Sequence, residues 1–171
     1  AFSAGGIIKP EWIQTMAKNA IVFACANPVP EIWPWEAQEA GARIVATGRS
    51  DFPNQVNNSL VFPGIFRGAL DVRARTITDE MAMAAAHELA SCAAARGLTE
   101  SYILPTMDEW EVVPRVAVAT ALKAQEQGVA QLRKTSNELR RSAEEKIKEA
   151  RKALDVLTSG GVIPPPPPSG P

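Results

Sequence analysis

Ile21-Val22-Phe23-Ala24-Cys25-Ala26-Asn27-Pro28, and after it Arg43-Ile44-Val45-Ala46-Thr47-Gly48, decide the fold of this chain. The first is a short continuous apolar run bounded by Asn27-Pro28, the pattern of a strand buried on both faces of a parallel sheet. The second repeats it. Between them Glu36-Ala37-Gln38-Glu39-Ala40 forms a short helical piece closed by Gly41, so the order is strand, helix, strand. Ligands of open α/β sheets bind beyond the carboxyl ends of the strands. Asn27 and the segment from Gly48 to Asn58 are therefore expected on one rim.

That segment continues as Gly48-Arg49-Ser50-Asp51-Phe52-Pro53-Asn54-Gln55-Val56-Asn57-Asn58, then Phe62-Pro63-Gly64-Ile65-Phe66-Arg67-Gly68-Ala69-Leu70. Two adjacent amides, each with donors and an acceptor, stand between a turn-rich loop and an apolar run that should be packed. Their pattern suits the holding of a polar group. It also suits a plain turn, because Asn tolerates left-handed backbone. Arg49, Arg67 and Arg73 invite a carboxylate-clamp reading, against which stand surface or helix-terminal ion pairs.

Downstream the pattern is helical. Thr78 caps a helix whose first turn carries Asp79 and Glu80, favourable at the positive end of the dipole. Its Ala-rich body runs from Met81 to Arg96 and Gly97 stops it; His87 within it reads as structural or solvent-facing. A second helix is expected from about Val112 to Gln127, ended by Gly128. Thr135-Ser136-Asn137-Glu138 fits a capping box, after which Leu139, Ala143, Ile147, Ala150, Leu154 and Leu157 form one narrow apolar stripe. Such a stripe is expected to dock along its length, on its own domain, a neighbouring subunit or a partner. Pro164 to Pro168 is expected to be extended polyproline II.

Apolar residues make up 46% of the 171, charged residues 22%, and the net charge is −1. This suits a packed domain, and offers no basic surplus for a nucleic-acid backbone. Ala20 to Ala26 is too short to span a bilayer, and Ala1 onward lacks the features of a signal peptide. Cys25 and Cys92 lie in unrelated contexts and read as free thiols of a reducing compartment. A cytoplasmic location is the expectation. The opening Ala1-Phe2-Ser3-Ala4-Gly5-Gly6 resembles a loop in mid-fold, as in a fragment.

Three ordered blocks carry a family resemblance: Ile21 to Ile32, with its Ala26-Asn27-Pro28 motif; Ala42 to Asn58; and Phe62 to Ala74, with Phe62-Pro63-Gly64. Together they resemble the C-terminal half of the prokaryotic malic enzymes, and the capped helix with its Gly161-Val162-Ile163-Pro164-Pro165 ending is similar to the tail of bacterial members. The resemblance implies an α/β fold: the C-terminal part of a Rossmann-type NAD(P)-binding domain with parallel strands, covering helices and a C-terminal helical extension. It divides the chain into that domain at 1–132, the helix at 133–160 and a Pro-rich tail at 161–171.

The activity implied is oxidative decarboxylation of L-malate to pyruvate and carbon dioxide, with NAD or NADP and a Mg2+ or Mn2+ ion. In the family a Lys base, a Tyr acid and the acidic metal ligands lie on segments preceding the part present here, and Ser3-Ala4-Gly5-Gly6 lacks the G-x-G-x-x-G spacing. No catalytic residue and no metal ligand is therefore expected in this chain, which alone should be inert. The resemblance places Asn27 at the junction of nicotinamide and malate, Asn57 and Asn58 on the substrate, and Ser3 and Ala4 beside the cofactor ribose. Implied partners are malate and pyruvate, the N-terminal half of the enzyme and a second copy in a homo-oligomer, with no nucleic acid and no membrane. The competing reading is a non-catalytic assembly or interaction subunit acting through its terminal helix and Pro-rich tail.

Overall fold

The computed structural model describes residues 1–164. A single turn, α1 (Pro10–Gln14), starts at Pro10, where a missing N–H removes no helical hydrogen bond. The two apolar runs then become parallel strands. β1 (Ile21–Ala24) pairs with β2 (Ile44–Thr47), Ile21 opposite Ile44 and Ala24 opposite Thr47. Between them α2 (Pro34–Glu39) makes the crossover. Ala1 lies along the other edge of β1, its N–H donating to Phe23 O at 2.6 Å and its carbonyl accepting Cys25 N at 3.1 Å, the alternation of a parallel ladder.

Burial on both faces holds for β2, where Val45, Ala46 and Thr47 are all buried, but not for β1. Val22 and Ala24 are buried, whereas Ile21 is 54% and Phe23 37% exposed. The physical reason is cover: Ile13 of α1, Ala37 of α2 and Ala40 just past it pack with Val22, Ala24 and Val45 on one face of the sheet.

The run after the Asn pair opens with a 3-10 turn at Asn58–Leu60 and continues as α3 (Phe62–Asp71). The capped helix is α4 (Asp79–Arg96): the Thr78 hydroxyl accepts Met81 N at 3.2 Å and Gly97, at φ +95°, ends it. The next is α5 (Val112–Glu126), which packs against α3, α4 and the terminal α6 (Ser136–Ser159). Glycines set the α3–α5 approach. A Cβ on Gly64 would lie 2.6 Å from Val116 Cγ1, and one on Gly68 would lie 2.4 Å from the carbonyl oxygen of Ala117.

α6 begins as its sequence dictates, Glu138 N donating to the Thr135 hydroxyl at 3.3 Å and Thr135 N to the Glu138 carboxylate at 2.8 Å. Its stripe docks only in part. Leu139 and Ala143 are buried, with Leu139 in a cluster with Val72, Met81 and Val118, and Ile147 is half-buried. Leu154 and Leu157 are 54% and 39% exposed, so within this chain the stripe docks on its own domain only through its first turns. Periodicity marks the apolar face, but α3, α4 and α5 supply cover only beneath its first turns. Of the polyproline segment, residues 165–168 lie outside the described residues.

No helix of the described residues is long and apolar enough to cross a membrane. His87 is exposed. Both cysteines are free, Cys92 buried and Cys25 half-buried, and burial pushes both thiols up.

Candidate functional site

Beyond the carboxyl ends of β1 and β2 lies a recess of about 510 Å³, lined by Asn27, Pro28, Gly48, Arg49, Ser50, Asp51, Gln55 and Asn57. The sheet builds it. After β1 the chain turns at Asn27, through a cis peptide to Pro28. After β2 it turns at Gly48 and returns so that Val56 N donates to Thr47 O at 2.7 Å. Gly48 brings the two turns together, since a Cβ there would stand 2.6 Å from Asn27 Nδ2 and 3.1 Å from Cys25 O.

The asparagines named from sequence have different surroundings. Asn27 is exposed, and its side chain has no hydrogen-bond partner among the described residues. The Asn57 oxygen accepts both Ser59 N at 3.0 Å and Ser59 Oγ at 2.8 Å, as a turn cap does. Its amide nitrogen is unpartnered among the described residues, so one end of the side chain builds the turn and the other stays available. Asn58 is exposed, opens the 3-10 turn and lies outside the recess lining. Ser3 and Ala4 are also exposed and outside it.

Arg49 is committed within the chain. Its Nε and Nη2 donate to the two Asp51 oxygens at 2.8 and 2.7 Å, and its Nη1 to Pro28 O at 2.7 Å. The fork holds the Asp51 carboxyl below its usual range and leaves the recess little net charge from this pair. Arg67 pairs with Asp71 one helical turn away in α3. Arg73 sits at φ +50° just past α3.

Three features of this region escaped the sequence reading. The Arg49 guanidinium lies 5.5 Å from the Trp33 ring and 5.8 Å from Phe52, while Trp33 and Trp35 stack at 4.9 Å. Asn54 is buried at φ +56°. Its amide nitrogen donates to Val45 O at 3.1 Å and Glu100 O at 2.8 Å, and its oxygen accepts Ile103 N at 2.9 Å. Glu31 is fully buried, accepting Ser3 N at 2.6 Å and Ala26 N at 3.0 Å. Burial alone would raise its carboxyl, but these N–H groups hold it below the ordinary range. The signals available were faint: a carboxylate between Pro30 and Ile32, and aromatics clustered around Pro34.

Among the described residues no group of three or more His, Cys, Asp or Glu side chains is placed to hold a metal ion, so these residues do not fit one. The Asn27 amide packs directly over Gly48, which a Cβ would prevent, and keeps its donors and its acceptor unpartnered among the described residues.

The malic enzyme NAD-binding domain family matches residues 2–125. The bifunctional malic/malolactic enzyme of Bacillus subtilis is 54% identical over 130 residues, covering 76% of this chain and 32% of that protein. The NAD-dependent malic enzyme of Geobacillus stearothermophilus is 54% identical over 128 residues, covering 75% and 27%. Among solved structures, Entamoeba histolytica malic enzyme superposes with a TM-score of 0.92 at 52% identity, over 96% of this chain and 34% of that one. Malic enzyme from Pyrococcus horikoshii gives 0.87 at 48%, over 93% and 37%. This chain thus spans 27% and 32% of the two curated relatives. A parallel β1–α2–β2 unit with its amides on the carboxyl rim, a family match over residues 2–125 and these structural likenesses lead to one conclusion: the chain belongs to the malic enzyme family and carries part of its NAD-binding domain.

Proposed function

We propose that this chain forms the carboxyl-rim wall of the active site in a longer malic enzyme that converts L-malate to pyruvate and carbon dioxide with reduction of NAD or NADP. The observation that carries the reading is the meeting of two amide nitrogens unpartnered among the described residues, from Asn27 and Asn57, in one recess beyond two parallel strands. Amide donors can orient a dicarboxylate without adding charge, and Arg49, already neutralised by Asp51, does not compete for it. When bound, the nicotinamide accepts the hydride leaving malate C2. The part of this chain is to hold a malate carboxylate and the nicotinamide carboxamide in register. Ser3 and Ala4 approach the ribose side, and Asn58 stands at the outer edge of the site. General acid, general base and metal ligands belong to the portion of the enzyme outside this chain.

Asn57→Asp in the complete enzyme separates this reading from a turn role. Asp keeps the oxygen that accepts Ser59 N, so the turn survives. It replaces the free amide with a second carboxylate oxygen, facing a substrate of like charge. Malate kcat/KM is expected to fall on the order of tenfold to a hundredfold with an unchanged melting temperature. Asn58→Asp, outside the recess lining, is expected to have the smaller effect. Wild-type malate kinetics in folded Asn57→Asp would remove this residue from the site. The isolated chain is expected to give no malate-dependent cofactor reduction in the same assay, and turnover by it would place the catalytic groups here after all.

A further inference from the structure

We infer that Glu31 is a positioning residue of the malate site, its buried carboxylate fixing the turn that presents the Asn27 amide. The inference rests on the placement of Asn27 proposed above. Glu31 is 0% exposed, yet it is an acid with no cation paired to it among the described residues. A buried carboxylate persists only where hydrogen bonds replace its water. Here both are backbone N–H groups, one from each of two rim loops: Ser3, four residues before Ile7, and Ala26, directly before Asn27. The loops are zipped further by Gly6 N to Pro30 O at 3.0 Å and Ile8 N to Glu31 O at 2.9 Å.

The exposed Asn27 has no side-chain partner to orient it, so its aim depends on the backbone that carries it. The N–H immediately before it is held by Glu31 Oε2. From the other side, the Gly48 approach limits where its Nδ2 can lie. Glu31 itself does not line the recess. It therefore does not touch substrate and carries no proton to it. Its influence passes through the Ala26–Asn27 turn.

A double-mutant cycle in the complete enzyme tests this. Glu31→Gln keeps the volume but turns one acceptor oxygen into a donor facing an N–H, which releases one loop. Malate kcat/KM is expected to fall on the order of tenfold in the single variant. In an Asn27→Ala background the same change is expected to cost little more, because the residue acts through a side chain already gone. Glu31→Asp, which keeps the charge but draws the carboxylate back from the Ser3 and Ala26 N–H groups, provides the same cycle if Glu31→Gln does not fold. Losses that multiply in the double variant, or a lowered melting temperature with wild-type kcat/KM, would overturn the positioning role. Wild-type kinetics in Asn27→Ala would instead overturn the placement of Asn27, a separate failure that is read from that single variant alone.

Discussion

Gly68→Ala puts the α3–α5 contact to a test in which two known effects oppose each other. Replacing a helix-interior glycine by alanine normally stabilises by about 1 kcal/mol. Here the added Cβ would lie 2.4 Å from Ala117 O, 2.9 Å from Thr120 Cβ and 3.1 Å from Ala121 N. The first distance is shorter than a comfortable carbon contact by about 1 Å, and the neighbour is a carbonyl within α5, which cannot swing aside. Thr120 is fixed as well, its hydroxyl donating to Val116 O at 2.9 Å. Overpacking of this kind costs about 1–3 kcal/mol, and with rigid backbone on the receiving side the upper half of that range applies. The steric cost wins, leaving about 1–2 kcal/mol of net destabilisation, or a fall in melting temperature of about 2–8 °C.

Thermal melts followed by circular dichroism measure this directly. Gly64→Ala is the companion, because its Cβ would meet Val116 Cγ1 at 2.6 Å and Cβ at 2.7 Å, with the Val113 carbonyl oxygen at 3.2 Å. Because the Val116 Cβ and the Val113 carbonyl remain whatever side chain stands at 116, Gly64→Ala should destabilise as Gly68→Ala does. Function should follow, since α3 starts four residues after Asn58 and pushing it outward moves the turn that Asn57 caps. Misplacement on the order of 1 Å can cost up to about a hundredfold in rate. A melting temperature at or above wild type in Gly68→Ala would show that helix propensity wins, and would refute the close approach of the two helices.

Leu139→Ala, which removes a side chain buried against Val72, Met81 and Val118, should cost about 2–5 kcal/mol in a denaturant melt, while Leu154→Ala should stay within about 0.5 kcal/mol; equal losses would mean that the far end of α6 is docked. The Glu31 carboxyl is held below its ordinary value, so its contribution to stability is complete above the unfolded carboxyl pKa of about 4.3 and is lost as pH falls through the lower folded value. The gap in melting temperature between wild type and Glu31→Gln should therefore be widest above about pH 5 and narrow in more acidic buffer; a gap constant with pH would rule out linkage to this group.

Much of the frame was legible in the sequence because it depends on neighbours along the chain. Two apolar runs closed by Asn27-Pro28 and Gly48 specify strands, and the cap residues Thr78 and Thr135 start their helices where expected. What escaped depends on contacts far apart in sequence. The helix α3 was read only as a packed run, because Pro63, Gly64 and Gly68 lower local helix preference. The spacing of four between the glycines acquires its meaning only when α5 is laid against it. In the same way nothing beside Glu31 announces burial: its partners are the N–H of Ser3, 28 residues earlier, and of Ala26, five earlier.

The asparagines show most clearly where sequence stops and geometry begins. Asn27, Asn54 and Asn57 are chemically identical and all lie in loops following the two strands, so residue type cannot rank them. Their partners can. Asn54 has its oxygen and both amide protons engaged by Ile103 N, Val45 O and Glu100 O, and its left-handed backbone is held by those bonds; it is a strut between β2 and the loop at 100–103. Asn57 spends its oxygen on Ser59 and keeps its amide nitrogen. Asn27 spends nothing within the chain and is set in place by Gly48 and Ala26 around it. A buried amide must satisfy itself internally, whereas one reserved for a ligand must remain unsatisfied at the rim. By that measure the capacity to bind rises from Asn54 through Asn57 to Asn27, and substitution should shift from harming stability to harming malate use in the same order.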